Sequence, residues 1–92
     1  MLLADIETNG LDPSRIHCAV VYDDNANKWY KFKNQELFFI FCRKNPSARW
    51  VFHNGLGFDV PVINRLAGAE LIQPRRVTDT FVVSQLLRYM VP

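Results

Sequence analysis

The chain has 92 residues, of which 49% are apolar, 13% aromatic and 22% charged. A chain of this length forms one small domain, and its apolar content is too high for an intrinsically disordered protein. Eleven Lys or Arg against nine Asp or Glu give a net charge of +2, which is too small to indicate a protein that coats nucleic acid. These values predict a single globular domain over residues 1–92.

The sequence shows no secretory signal and no membrane span. Asp5 interrupts the apolar N-terminus where a signal peptide would continue, and no stretch approaches the about 20 apolar residues that a transmembrane helix needs. We therefore expect an intracellular protein with no membrane partner. Cys18 and Cys42 lack C-x-x-C spacing, so we expect core thiols rather than a disulfide or a zinc site.

Short apolar segments alternate with turn signals along the chain. Strands are predicted where apolar runs are bounded by turn residues, and helices where apolar residues recur three and four positions apart. Asn34 is placed to cap the first helix, Gly68 to end the second, and Thr78 or Asp79 to cap the third. In chain order the predicted elements are strands at 2–7, 16–22 and 28–33, a helix at 35–44, a strand at 50–53, a helix with Pro61 in its first turn, a short strand near 76–77 and a last helix.

The order βββαβαβα predicts an α/β protein, with a mixed sheet flanked by helices. Short turns join the first three strands, so these form a meander in which strand 2 is antiparallel to strand 1. Helical connections then allow right-handed crossovers that place strands 4 and 5 beyond strand 1, which gives the strand order 3-2-1-4-5. The apolar residues of the last helix are expected to face inward; they are Val82, Val83, Leu86, Leu87 and Met90.

Asp5 and Glu7 are the first candidates for chemistry. Because side chains alternate along a strand, acids two positions apart project from the same face, about 6 to 7 Å apart at the backbone. Mg²⁺ takes a few carboxylate oxygens and completes its shell with water, so the pair could be half of a metal site. The alternative is two solvated acids at a strand end, since D-x-E arises by chance in about one such chain in five.

The surroundings of the two acids favour the metal interpretation. Their neighbours Leu2, Leu3, Ala4 and Ile6 are expected to be buried, and acids on such a strand need a cation to offset desolvation and mutual repulsion. A third acid, Asp59, follows the predicted fourth strand at the start of a helix. It could join the site, or it could be an N-terminal helix residue that the helix dipole stabilises.

Two segments resemble the motifs of a known family. Residues 5–12, Asp-Ile-Glu-Thr-Asn-Gly-Leu-Asp, resemble the first exonuclease motif of the DEDD superfamily, the proofreading 3′ to 5′ exonucleases. Residues 53–61, His-Asn-Gly-Leu-Gly-Phe-Asp-Val-Pro, resemble the second motif, in a form closest to the exonuclease domain of podovirus-type, family A phage DNA polymerases. Residues 16–23 and 78–80 also follow the order of that family, so the resemblance spans essentially the whole chain.

The resemblance implies an RNase H-like fold and a two-metal site for Mg²⁺ or Mn²⁺ that hydrolyses DNA. Asp5, Glu7 and Asp59 would be three of four metal-binding carboxylates, with Asp5 between the two ions and Asp59 acting largely through metal-bound water. A two-metal site of this kind generates the attacking hydroxide and stabilises the leaving oxygen. The implied substrate is the 3′ end of single-stranded DNA.

Three further residues match positions at which the family binds DNA. Thr8 and Asn54 match residues that contact the terminal nucleotide, and Leu11 matches an apolar residue that wedges beside the last base. The alternatives are structural: Thr8 would be a strand-end residue, Asn54 a turn residue and Leu11 part of the core.

The third motif of the family, a Tyr or His four residues before a final Asp, is absent from the 92 residues. Its place would lie beyond Pro92, so we expect a C-terminally truncated exonuclease-like domain that lacks the fourth carboxylate. Two functions stay open: a metal-dependent exonuclease, completed by a polymerase chain or a C-terminal fragment, and a non-catalytic module that binds a polymerase, nucleic acid or a host protein. Either would be a phage protein in the cytoplasm of a bacterial host.

Phe38, Phe39 and Phe41 form an aromatic run on the first predicted helix. Most of this run is expected in the core. One of the three must point away from the apolar stripe, and it could mark a surface that a further segment or a partner covers.

Overall fold

A computed structural model describes residues 1–90, apart from the side chains of Gln85, Tyr89 and Met90. No helix in this described range is long and apolar enough to cross a membrane. Both cysteines are free thiols in the described range; Cys42 lies in the core as predicted, whereas Cys18 is only partly buried. The strands and helices in chain order are β1 (Leu2–Thr8), β2 (Ile16–Asp23), β3 (Lys28–Phe32), α1 (Gln35–Lys44), β4 (Trp50–Phe52), α2 (Val60–Ala67), β5 (Val77–Asp79) and α3 (Thr80–Met90).

The strands form one sheet in the order β3-β2-β1-β4-β5. β2 is antiparallel to both β1 and β3, whereas β4 is parallel to both β1 and β5. The antiparallel half is a meander because its connections are short, and the parallel half needs the helical crossovers. The predicted α/β class, the strand order 3-2-1-4-5 and the antiparallel second strand of an RNase H-like sheet are therefore confirmed.

The hydrophobic core lies on the face of the sheet that carries α1 and α2. Leu2 and Ile6 of β1 join a buried cluster that includes Phe38 of α1 and Ile63 of α2. Burial of each large apolar side chain contributes about 1.5 to 3 kcal/mol. This packing fixes β1 as a rigid central strand between β2 and β4.

The opposite face of the sheet is largely open within residues 1–90. Leu3 is 41% exposed, so the prediction that it is buried is wrong, and Trp29 is 69% exposed. These two side chains line a groove of about 550 Å³ together with Val20, Tyr22 and Val51. Asp5 and Glu7 project from the same face, because they alternate with the core-facing residues of β1.

The apolar residues of α3 do not face inward as predicted. Val82 and Val83 are each 44% exposed, and Leu86 and Leu87 are 58% and 55% exposed. The reason is that α3 follows the edge strand β5 and makes few contacts with other elements among the described residues. The side chain of Met90 lies outside the described residues.

The boundaries of all five strands differ by a residue or two from the sequence expectations: β1 and β2 each end one residue later than predicted, at Thr8 and Asp23. Lys33 lies outside β3 and His53 outside β4. β5 starts at Val77 because residues 74–76 form a 3-10 turn, in which Pro74 supplies the fixed backbone angle of the first position. The segment between β4 and α2 is a π-helical turn over Gly55–Asp59, which runs directly into α2.

Candidate active site at the ends of β1 and β4

The predicted site residues lie at the carboxyl ends of two neighbouring parallel strands. β1 and β4 pair in parallel through Leu2 with Trp50 and Leu3 with Val51. Their carboxyl ends therefore meet at one edge of the sheet, the position at which α/β proteins usually build sites. Asp5 lies in this half of β1.

Asp59 is buried, with only 7% of its surface exposed. This burial, and next the negative charge of Asp5, raise the pKa of Asp59 to about 7, although hydrogen bonds from the backbone of Ile6 and of Asp59 itself act in the opposite direction. Asp5 and Asp59 are therefore close enough to repel each other. Asp59 makes no side-chain capping bond to α2, so capping does not explain its position.

Glu7 is exposed on the open face of the sheet. Among the described residues no group of three His, Cys, Asp or Glu side chains is arranged to hold a metal ion. The structure therefore brings Asp5 and Asp59 together but does not complete a cluster with Glu7. The pair itself suits a hard divalent cation, because a positive charge would offset both the burial of Asp59 and its repulsion by Asp5.

Asp79, at the end of β5, fixes the turn that carries the second motif. Its Oδ1 accepts a hydrogen bond from the backbone N–H of Asn54 at 2.9 Å, and its Oδ2 accepts one from Leu56 at 3.0 Å. Oδ1 also accepts from the N–H of Phe81 at 2.9 Å, so Asp79 rather than Thr78 caps α3. Burial acts to raise the pKa of Asp79, but these hydrogen bonds outweigh it and hold the pKa below its usual range.

The role of Asp79 in the turn after β4 is the functional contact that sequence reasoning missed. The sequence indicated only that Asp79 could cap α3. Its bond to Asn54 joins positions 25 residues apart, and β4 and β5 pair in parallel with Phe52 opposite Asp79. The sequence did offer one signal for this contact: Asp79 is an acid at the end of the strand that pairs with β4, and β4 leads into the turn that carries the second motif.

The turn after β4 depends on close backbone packing. Asn54 has a positive φ of 58°, a conformation that Asn tolerates better than most residues. A Cβ on Gly55 would lie 2.2 Å from the Cβ of Phe52, so only glycine fits there. Asn54 therefore has a clear role in the turn, and its side chain remains a predicted nucleotide contact.

The loop between β1 and β2 carries Leu11 and is held in a defined shape. The Asn9 side chain accepts hydrogen bonds from the backbone N–H groups of Ser14 at 3.1 Å and Arg15 at 3.2 Å. From α2, Arg65 donates to the backbone carbonyl of Pro13. Leu11 is nevertheless 95% exposed, which rules out its placement in the core.

Thr8 is the last residue of β1, three positions after Asp5. Its hydroxyl donates to the carbonyl of Gly10 at 3.0 Å, which supports the structural alternative of a residue that shapes the strand end. The same hydroxyl still has lone pairs, so a contact with a nucleotide stays a prediction for Thr8.

Comparison with known proteins gives two relatives over nearly the whole chain. The chain is 33% identical to the DNA-directed DNA polymerase of Escherichia phage T7 and 32% identical to that of Enterobacteria phage T3, each over an alignment of 98 positions including gaps. Both alignments cover 95% of this chain, and the chain spans 14% of the length of each curated relative. No protein-family model matches the sequence.

Proposed function

We propose that this chain, which is related to phage DNA polymerases, acts as a proofreading-type exonuclease domain on the 3′ end of single-stranded DNA. Asp5, Glu7 and Asp59 would hold Mg²⁺ or Mn²⁺. The pair of Asp5 and buried Asp59 is the observation that carries the proposal. Two carboxylates that repel each other, one of them buried, are unfavourable unless a proton or a cation compensates them.

The bound metal would supply Lewis-acid activation of water and stabilisation of the leaving oxygen. The fold of the chain would hold the metal-binding carboxylates in position. Asp5 lies on the central strand of the sheet, and Asp59 ends a turn that Asp79 holds through Asn54 and Leu56. Ligands on elements fixed by packing and hydrogen bonds are held within the small tolerances that catalysis requires.

Three residues around this edge would bind the DNA end. Leu11 is an exposed apolar side chain on a loop that Asn9 and Arg65 hold in place. Such a side chain can pack against the face of an unstacked base. Thr8 and Asn54 would contact the sugar or phosphate of the terminal nucleotide.

Full activity requires a fourth carboxylate and a residue that orients the attacking water. The 92 residues contain no Tyr-x-x-x-Asp or His-x-x-x-Asp. We propose that a polymerase chain or a complementing C-terminal fragment supplies these groups. Loss of such positioning usually lowers a rate by about a hundredfold or more.

A second candidate function is a non-catalytic module that binds a polymerase, nucleic acid or a host protein. The open face of the sheet favours it, because Leu3 and Trp29 leave an apolar groove beside the acids. Surfaces of this kind are commonly covered by another polypeptide. The two functions differ in whether the DNA is cut.

A nuclease assay distinguishes them. The chain would be incubated with a single strand labelled at its 5′ end, with Mn²⁺, Mg²⁺ or EDTA. We expect slow shortening from the 3′ end that needs the metal and is lost in Asp5→Asn. Glu70→Gln, which removes an exposed acid away from the site, is the matched control and should retain activity. Metal-independent cleavage, or cleavage that Asp5→Asn leaves unchanged, would contradict the exonuclease proposal.

A further inference from the structure

A second groove lies at the free edge of the sheet, away from the acidic residues. β3 is the edge strand, and a groove of about 380 Å³ runs between it and α1. Phe32 and Phe41 line the groove with their ring centroids 5.2 Å apart. Leu37 and Ile40 line it as well, and they are 56% and 42% exposed. An apolar groove therefore opens directly beside a strand edge.

Helix α1 has two apolar stripes rather than one. Phe38 and Cys42 are buried in the core. Leu37, Ile40 and Phe41 are three and four positions apart and line the edge groove. Of the three phenylalanines of α1, Phe41 is the one that is only partly buried: it packs edge-on against the core residue Trp50, with ring centroids 6.3 Å apart, and also lines the groove. A helix that is apolar on two sides usually packs against a partner on both.

The charge of this region is strongly positive. Residues 28–44 contain five Lys or Arg and one Glu, so their net charge of +4 exceeds the +2 of the whole chain. Lys31 and Lys44 line the groove, and neither forms an ion pair with any described residue. A positive rim around an apolar groove is complementary to an anionic partner that also carries apolar groups.

The groove suits a peptide better than a nucleic acid. Tyr30, Phe32 and Phe41 pack on one another with centroids 4.9 to 6.2 Å apart, so these rings are engaged with each other and not free to stack on bases. The free edge of β3 instead offers unpaired backbone N–H and C=O groups. An extended peptide can pair with such an edge and place alternate side chains in an adjacent groove.

We propose that the groove between β3 and α1 binds an extended acidic peptide segment of a partner protein. The segment adds to β3 as a further strand, places alternate apolar side chains over Ile40 and Phe41, and sets its carboxylates near Lys31 and Lys44. This binding site is independent of the proposed exonuclease site. The competing explanation is that Lys31 only protects the strand edge from aggregation, in which case no peptide binds.

Titration followed by ¹⁵N NMR tests the proposal with three probes. The first is a blocked seven-residue peptide in which Glu alternates with Val and Leu, since seven residues extend about 23 Å and cover β3. The second carries Lys at every Glu position, and the third is a 12-nucleotide oligo-dT. We expect the acidic peptide to shift the amide signals of β3 and α1, and to bind about tenfold or more tightly than the basic peptide.

Variants locate the contact. We expect the double substitution Lys31→Glu with Lys44→Glu to weaken binding of the acidic peptide by about tenfold or more. Ile40→Glu, at an exposed position that tolerates a polar residue, should weaken it by a similar factor. Arg75 is exposed on the 3-10 turn before β5, at the opposite edge of the sheet from the groove. Arg75→Glu reverses one charge there and should leave binding of the acidic peptide unchanged.

Several outcomes would overturn the proposal. They are no shift at millimolar acidic peptide, equal binding of the acidic and basic peptides, shifts confined to residues outside 28–44, or oligo-dT as the only probe that shifts these signals. Retained secondary structure in the amide spectra of each variant separates loss of binding from loss of folding. Because Ile40→Glu and the lysine variants act through different contacts, an unfolded variant of one kind leaves the other as the test.

Discussion

Asp79 and Asn54 are joined by a 2.9 Å hydrogen bond from the backbone N–H of Asn54 to the carboxylate of Asp79. The bond ties the end of β5 to the turn after β4, and the same carboxylate begins α3 through Phe81. One side chain therefore positions the segment that leads to Asp59. Asp79 is therefore part of the site's framework, although it lies outside both motifs.

The first prediction concerns the stability supplied by Asp79. Asp79→Ala leaves the part-buried N–H groups of Asn54 and Leu56 without their acceptor and removes the cap of α3. We expect the free energy of unfolding to fall by about 2 to 4 kcal/mol, measured by urea denaturation. Glu70→Gln should change it by less than about 0.5 kcal/mol. An Asp79→Ala protein as stable as the control would show that these hydrogen bonds have no net effect.

The second prediction concerns the pH dependence of folding through Asp59. The pKa of Asp59 rises from 3.8 to about 7 on folding, so the folded state holds a proton that the unfolded state releases. The contribution of Asp59 to the free energy of unfolding is therefore complete below pH 4 and is lost as the pH rises through about 7. The loss amounts to about 1.4 kcal/mol for each unit between the two pKa values.

Comparison with Asp59→Asn isolates this contribution. The variant keeps a neutral side chain at all pH values. We therefore expect the free energy of unfolding of Asp59→Asn, relative to that of the natural protein, to increase from pH 4 to pH 8. Asp5→Asn removes the charge that is the second cause of the raised pKa of Asp59. This substitution should therefore lower the pKa of Asp59 and narrow the pH range over which the free energy of unfolding falls. Parallel pH profiles of the natural protein and Asp59→Asn would contradict the prediction.

The third prediction concerns the exposed apolar residues of α3. Leu87→Gln replaces a side chain that is 55% exposed and should change the free energy of unfolding by less than about 0.5 kcal/mol. Ile63→Ala removes a fully buried side chain and should lower it by about 2 to 5 kcal/mol. Thermal or urea unfolding measures both. A large loss in Leu87→Gln would mean that α3 packs more tightly in solution than in this structure.

The fourth prediction concerns Leu11, which is exposed on the anchored loop. We expect Leu11→Ala to leave stability unchanged but to weaken binding of a single strand in fluorescence anisotropy by about 1 to 2 kcal/mol, because each methylene that is no longer buried against a base costs about 0.8 kcal/mol. Leu37→Ala, an exposed leucine on α1, is the matched control. Equal DNA affinity of the natural protein and Leu11→Ala would remove Leu11 from the binding site.

The sheet was predictable because local signals and topology agreed. Short turns determined the meander, and the helical lengths between β3, β4 and β5 determined the crossovers. Asn34 caps α1 through the backbone N–H of Glu36, as its position before the helix predicted. These features need only residues near each other in sequence.

The remaining features depend on contacts between distant segments. Leu3 and the apolar residues of α3 were expected to be buried because their types are apolar, but burial depends on which element lies over them. In the π-helical turn, Gly55 packs closely on Phe52, and the N–H of Leu56 donates to Asp79, 23 residues away in sequence. The role of Asp79 depends on the pairing of β4 with β5, which no short pattern encodes.

Paramagnetic broadening by Mn²⁺ tests the proposed metal site most directly. Because Mn²⁺ broadens NMR signals near it, titration at pH 7.5 should weaken the amide signals of Asp5, Ile6 and Asp59 first. Proton competition at Asp59 should reduce the effect at pH 5.5, and the double variant Asp5→Asn with Asp59→Asn should abolish it, while Glu70→Gln retains it. Broadening of the same signals in the double variant, or none in the natural protein at millimolar Mn²⁺, would contradict a metal site formed by Asp5 and Asp59.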